Sequence, residues 1–222
     1  MRLLPIFMIL LISFSATAQE NLSTDTQRFS YAVGVQIGQN INAGNTEIDN
    51  DALLMGISDT INNNGLKLTV QEMQTAVASV QAEEQKRQQA QGVRNKLEGE
   101  NFLAENGTKD DVTVHESGLQ YKVLIDGTGA QPTATDTVVV HYKGTLIDGT
   151  EFDSSYARGQ PVAIALNNVI RGWQVAVPLM KVGSKWQIFV PAALGYGDQA
   201  AGPQIGPNST LIFDIELLGI NN

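Results

Sequence analysis

The sequence predicts an α+β protein: a C-terminal antiparallel sheet wrapped around one short helix, preceded by a small all-α unit and a long linking helix. Three observations carry this. Apolar residues recur at helical spacing in the first half and at every second position from Leu119 onward. A stretch without proline, from Val70 to about Ala104, separates the two regimes. Inside the second half, Ile170 to Leu179 alone returns to helical spacing, with Trp173, Val177 and Met180 on one face.

The chain starts with Met1-Arg2, an apolar run from Leu3 to Phe14, and the small-x-small end Ala16-Thr17-Ala18. That is the pattern of a secretory signal peptide over residues 1–18, with cleavage after Ala18. The run is too short to span a bilayer, which takes about 20 residues as a helix. A buried N-terminal helix is the alternative. No Cys follows, so no lipoprotein anchor is expected. The expected destination is the periplasm, with outer-membrane or surface association left open and no stable membrane insertion.

Residues 19–68 read as an N-terminal helical unit. Thr24 and Gln27 form a capping pattern, and Phe29, Val33, Ile37 and Ile41 then make one apolar stripe, with Gly34 and Gly38 beside it. A mid-helix glycine costs about 1 kcal/mol relative to alanine, so the pair suggests close helix approach. Asp49 or Asn50 can cap a second helix carrying Leu53, Leu54, Ile57 and Ile61, which Asn62-Asn63-Asn64-Gly65 ends. Such a unit buries little surface alone. Self-association through residues 20–80 into a homodimer is therefore expected.

Thr69-Val70-Gln71-Glu72 is a second capping box and opens the connecting helix, residues 69–106, interrupted only by Gly92 and Gly99. At about 1.5 Å per residue it is on the order of 50 Å long. Its middle, Gln81 to Gln91, is polar on every face, the pattern of a solvated bridge; a flexible charged linker is the alternative. Asn106-Gly107 and Lys109-Asp110-Asp111 mark its stop and a domain boundary.

In residues 111–222, Leu119, Tyr121, Val123 and Ile125 alternate with outward positions. So do Val138, Val140 and Tyr142; Trp186, Ile188 and Val190; and Leu211, Phe213, Ile215 and Leu217. This is the signature of half-buried antiparallel strands, and Asp126-Gly127, Asp148-Gly149 and Gly206-Pro207-Asn208 supply turns. Val169-Ile170-Arg171-Gly172-Trp173 places an indole one turn inside the short helix. If Tyr142, Phe152, Tyr196 and Phe213 converge on it, the chain has one apolar concave site with a polar rim, the usual form of a small-ligand or peptide site.

Composition removes several classes. The 222 residues hold 42% apolar residues and carry a formal charge of −9 with scattered Lys and Arg, which disfavours nucleic-acid binding. There is no Cys, hence no disulfide, zinc-thiolate site or Cys nucleophile. His115 and His141 sit in no ligand-spaced motif, and neither metal nor cofactor is expected.

Five segments carry a family resemblance: Val140-His141-Tyr142-Lys143-Gly144, Asp148 to Ser155, Val169 to Trp173, Ala193-Leu194-Gly195-Tyr196-Gly197 and Leu211 to Leu218. In order and spacing they resemble the FKBP peptidyl-prolyl cis/trans isomerases across about half of the chain, and the front half resembles the layout of the exported Mip and FkpA subgroup. The resemblance implies a five-stranded half-barrel around one helix and a proline-binding pocket. Trp173 would be its floor. Tyr142, Phe152, Val162, Val169, Ile205 and Phe213 would be its walls. Asp153 would lie near the reacting carbonyl, with Arg158 and Tyr142 as partners, and the Ile170 N–H and the Tyr196 hydroxyl would bind substrate carbonyls. Val162 stands where many members have Phe, and the loop Asp198 to Pro207 differs from better-known members.

The implied activity is isomerisation of X–Pro bonds in unfolded or partly folded exported proteins, with macrolides as implied inhibitors. Two other readings compete. One is a chaperone or binding module that holds unfolded chains with little turnover. The other is a glycan-binding domain using Trp173 for stacking, for which no cluster of Asn, Asp and Arg around the aromatics is evident.

Overall fold

The structure, a computed structural model, describes residues 22–43 and 47–221. The expected signal segment lies outside these residues. The chain divides after Asn42 into two units.

In the first unit, helix α1 (Asp25–Ala43) is capped as its sequence implies. The Gln27 N–H donates to Thr24 Oγ1 at 3.2 Å, and Gln27 Oε1 accepts from the Thr24 N–H at 3.0 Å. Its stripe residues Phe29, Val33 and Ile37 are exposed. Beside Gly34 and Gly38 there is open space: apart from the helix's own backbone, no heavy atom of the described residues lies within 4 Å of a Cβ added at either position.

The second unit begins with α2 (Asn50–Ile61), whose Asp49 cap accepts from the Ala52 N–H. It ends where Asn63 takes the left-handed region, with φ 54°. Helix α3 (Val70–Asn106) runs unbroken for 37 residues from the Thr69–Glu72 capping box. Its polar middle is exposed, but its last turns are not a free-standing bridge. Gly92, Gly99 and Asn106 are buried and recur every two turns on one face. A Cβ at Gly92 would stand 3.1 Å from Pro207 Cβ, and one at Gly99 would collide with the Thr210 side chain. The two glycines that look like interruptions in sequence are where the helix meets the sheet. Asn106 Nδ2 donates to Gln120 Oε1 at 2.9 Å, and Gln120 Nε2 donates to Leu103 O at 2.7 Å. Phe102 sits 5.8 Å, ring to ring, from Phe189.

The sheet is antiparallel, with seven strands: β1 (Thr113–Val114), β2 (Gln120–Ile125), β3 (Thr137–Leu146), β4 (Glu151–Ser154), β5 (Val162–Ala165), β6 (Lys185–Val190) and β7 (Leu211–Asn221). Their order is β1-β2-β6-β7-β3-β4, and β5 also pairs with β3. The count exceeds the five implied by resemblance. The two-residue β1 extends one edge, and the other edge is shared: β4 pairs with Lys143 to Thr145, β5 with Thr137 to Val140.

Strict alternation holds on β7, where Leu211, Phe213, Ile215 and Leu217 are buried, and on β3, where Val138, Val140 and Tyr142 are. It fails on β2. Val123 and Ile125 are exposed, while Gln120 is buried. The cause is α3, which covers the outer face of the sheet at Gln120 and Phe189 and so buries residues that alternation assigns to solvent. Beyond Tyr121, which stacks on Trp186 at 4.5 Å, β2 extends past the core.

Helix α4 (Arg171–Ala176) lies on the concave face and contributes Trp173 and Ala176 to the core. The helical segment read from sequence as continuous to Leu179 tightens into a 3₁₀ turn, Val177–Leu179, at Pro178, a residue that cannot donate to an α-helical ladder. Helix and sheet touch at Gly172, where a Cβ would stand 2.5 Å from Val190 Cγ1 and 3.3 Å from its Cβ.

That contact yields a stability prediction. Gly172→Ala gains about 1 kcal/mol in helix propensity, but overpacking of this kind costs about 1–3 kcal/mol. A net loss is expected in the chemical denaturation midpoint. A variant as stable as the parent would show that α4 does not press on Val190 as described.

Candidate active site

Four elements converge on the concave face. The middle of β3 supplies Tyr142, β4 supplies Phe152 and Asp153, the start of α4 supplies Ile170 and Trp173, and β7 supplies Phe213. Trp173 is 4% exposed and meets two rings edge-on: Tyr142 at 5.4 Å and 89°, and Phe213 at 5.5 Å and 90°. Phe152 completes the set against Phe213 at 5.5 Å and 84°. These are the offset, edge-to-face distances that aromatic quadrupoles prefer. Gly144 makes them possible, since a Cβ there would lie 2.6 Å from the Phe152 ring and 3.0 Å from that of Phe213.

The rings surround a cavity of about 620 Å³ that is also lined by Val169, Ile170, Tyr196 and Ile205. Thus nine of the eleven residues singled out from sequence line one space: Tyr142, Phe152, Asp153, Val169, Ile170, Trp173, Tyr196, Ile205 and Phe213. The other two do not. Val162 is not a wall: it opposes Val140 across the β3–β5 ladder and packs on the core. Ile164, on the same face of β5, takes the wall position. Arg158 stands behind the lining and acts on it through Asp153 and Tyr142. Asn168, Ala201 and Gly202 also line the space and were not anticipated. Ile164 was legible as the residue two beyond Val162 on one strand face. The others lie in irregular segments without periodicity.

At the rim Tyr142, Asp153 and Arg158 form a closed polar trio. The Tyr142 hydroxyl donates to Asp153 Oδ2, Arg158 Nη1 donates to Asp153 Oδ1, and Arg158 Nη2 donates to the Tyr142 oxygen at 2.9 Å. Partial burial pushes the Asp153 carboxyl up, but the Tyr142 and Arg158 hydrogen bonds and the guanidinium charge outweigh it, and the net shift is downward. Tyr142 is raised, first by burial and then by its bond to Asp153. Asp153 is therefore an anion and Tyr142 a neutral donor at neutral pH. Behind them Ser155 Oγ accepts from the Tyr142 N–H at 2.8 Å and donates back to its carbonyl, fixing the strand that carries the phenol.

Two donors on cavity-lining residues have no protein acceptor among the described residues: the Ile170 N–H at the start of α4 and the hydroxyl of Tyr196, which is 43% exposed. Gln174 Nε2 donates to Val169 O at 2.8 Å and pins the entry to the helix. The arrangement offers an apolar floor, a half-exposed charged edge and two hydrogen-bond donors.

An aromatic floor under an open cavity on the concave face of an antiparallel sheet is the form of a site for an apolar ligand or peptide group, and comparison with known proteins narrows the class. Residues 128–218 match the family model described as FKBP-type peptidyl-prolyl cis-trans isomerase. Residues 26–123 match the domain amino-terminal to it. The chain is 40% identical over 212 residues to the "Outer membrane protein MIP" of Legionella longbeachae, spanning 94% of this chain and 91% of that protein. It is 43% identical over 194 residues to the "FKBP-type 22 kDa peptidyl-prolyl cis-trans isomerase" of Escherichia coli, spanning 86% and 93%. The crystal structure of FkpA from Escherichia coli superposes with a TM-score of 0.64 at 35% identity, covering 90% of this chain and 98% of that one. The chain belongs to the FKBP-type peptidyl-prolyl cis-trans isomerases, and within them it is Mip- and FkpA-like. No described helix is long and apolar enough to cross a membrane.

The rim trio sets a pH expectation. Because the folded Asp153 pKa is depressed, its charged, hydrogen-bonded form persists at neutral pH and is lost only as pH falls below the ordinary carboxylate range. Arg158→Ala removes two of the lowering influences, so the acid limb of kcat/KM should move to higher pH. An unchanged acid limb would mean that Asp153 is not what titrates there.

Proposed function

We propose that this isomerase assists the folding of exported proteins by gripping an X–Pro amide more tightly when it is out of plane. The observation that supports this best is the floor itself: Trp173 wedged at right angles between Tyr142 and Phe213 under an open cavity. The barrier to X–Pro rotation is about 18–20 kcal/mol and comes from amide resonance. Uncatalysed exchange takes tens to hundreds of seconds. At the twisted geometry resonance is lost and the amide is less dipolar. Apolar walls disfavour the planar, dipolar form relative to the twisted one, and only such a difference accelerates the step. Asp153, held by Arg158 and Tyr142, faces the reacting carbonyl. The Ile170 N–H and the Tyr196 hydroxyl take substrate carbonyls and hold the chain while it turns.

The exported setting follows from the N-terminal pattern Met1 to Ala18, and a relative carries an outer-membrane name. We assign the periplasm, with outer-membrane or surface association compatible. The exposed stripe Phe29, Val33 and Ile37 supports a homodimer through residues 20–80. A single-chain mass in light scattering at micromolar concentration would refute the dimer.

Catalysis is tested with a protease-coupled proline-peptide assay and a proline-limited refolding reaction. Tyr196→Phe removes one hydrogen bond and should lower kcat/KM about two- to ten-fold. Asp153→Ala should lower both rates. If aggregation is still suppressed while isomerisation falls in Asp153→Ala, both activities exist and are separable; a parent chain that suppresses aggregation without accelerating proline-limited refolding would support the alternative, a chaperone that binds unfolded proteins with little turnover.

A further inference from the structure

The loop that closes one side of the active cavity also walls a second one. Gly202 and Ile205 line both spaces. The second space, about 270 Å³, has α3 as its opposite wall, through Glu84, Arg87, Gln88 and Gln91. Free-standing ligand sites occupy about 300–1,000 Å³, so this one is small by itself. It adjoins the first across Gly202 and Ile205 and runs along the helix, so that the two together are long enough for more than a proline ring.

Its walls are held in place. Asn95 Nδ2 donates to Pro207 O at 2.8 Å and Asn208 Nδ2 to Gly92 O at 3.3 Å, tying the far end of the loop to α3. The Asn208 N–H donates to Gly197 O at 2.8 Å, which joins the same loop to the turn carrying Tyr196. Gln91 lies so close to Gly206 that a Cβ there would be 2.7 Å from its Nε2. The loop that borders both spaces is thus tied to α3 at one end of the groove.

The chemistry of the walls selects an occupant. Gln88 and Gln91 each carry both donors and an acceptor, and Glu84 is already paired with Arg87 and accepts from Gln88 Nε2 at 2.9 Å. Side-chain amides facing a glycine- and proline-rich loop match the alternating N–H and C=O groups of an extended backbone and select no particular side chain. From Glu84 to Gln91 the helix rises about 10 Å, the length of about three extended residues.

We propose that this groove is an extended subsite for the polypeptide backbone on one side of the substrate proline, so that α3 contributes substrate-binding residues to the isomerase. The proposal rests on the first cavity holding the proline ring.

The test compares kcat/KM of the full chain on a proline tetrapeptide with that on the same peptide lengthened by about four residues at one end or the other, enough to reach past Gln88. One extension should raise kcat/KM. Gln88→Ala with Gln91→Ala should abolish that gain, with a loss of about five-fold for each backbone hydrogen bond removed. Gln88→Trp, which fills the groove, should do the same. A ratio of extended to short substrate that is equal in parent and variants overturns the subsite, as does a variant that slows both substrates equally. No turnover of the tetrapeptide by the parent would instead overturn the placement of proline in the first cavity.

Discussion

Everything at the active cavity depends on one contact, that of α4 with β6 at Gly172 and Val190. The absence of a side chain there lets the helix settle onto the sheet, and that depth sets where Trp173 stands. At that depth the indole can meet Tyr142 and Phe213 edge-on. Close-packed interiors transmit strain, so a small lift of α4 would tilt the floor away from both rings. Gly144 plays the matching part on β3, leaving room for Phe152 and Phe213. Two glycines thus determine the shape of a site whose chemistry is aromatic.

The second constraint is α3. A helix polar on most of its surface has little reason to be stable alone, and its first half stays mostly exposed. Its last turns gain what the sequence pattern does not provide: Phe102 against Phe189, and the Asn106–Gln120 pair in a buried position. A buried amide is costly unless satisfied; here each partner serves the other, and Lys109 Nζ adds a third bond to Asn106. The same face reaches the loop that lines the active cavity, through Gly92, Asn95 and Asn208. Linking helix and catalytic sheet are therefore one packed body over that stretch.

The rim holds the charge of the site in a closed trio of Tyr142, Asp153 and Arg158. Asp153 and Arg158 are both about half exposed as side chains, so their pairing adds little to stability. It holds the carboxylate and the Tyr142 hydroxyl in one orientation beside an apolar floor, where the field of a charge is less screened than in water. Arg158 thus shapes the site from behind its lining.

Much of this was legible in the sequence, for reasons that are local. Helix caps such as Thr24–Gln27 and Thr69–Glu72 depend on residues three apart, and a half-buried strand such as β7 displays its two faces directly. The aromatic floor was legible because Trp173, Tyr142 and Phe213 stand in ordered motifs on regular elements. What depends on a distant neighbour was not. Gln120 and Phe189 are buried only because α3 lies over them; Val123 is exposed only because nothing does. Asn168, Ala201 and Gly202 reach the cavity from loops whose path no period encodes. Val162 and Ile164 share a strand face, and which of them lines the cavity is set by register and curvature. Sequence alone determined the elements, their order and the aromatic residues, since backbone and pattern preferences act over a few residues. Only the tertiary structure decided which faces are covered and which side chains border the cavity, because burial is a property of what folds against a residue from far along the chain.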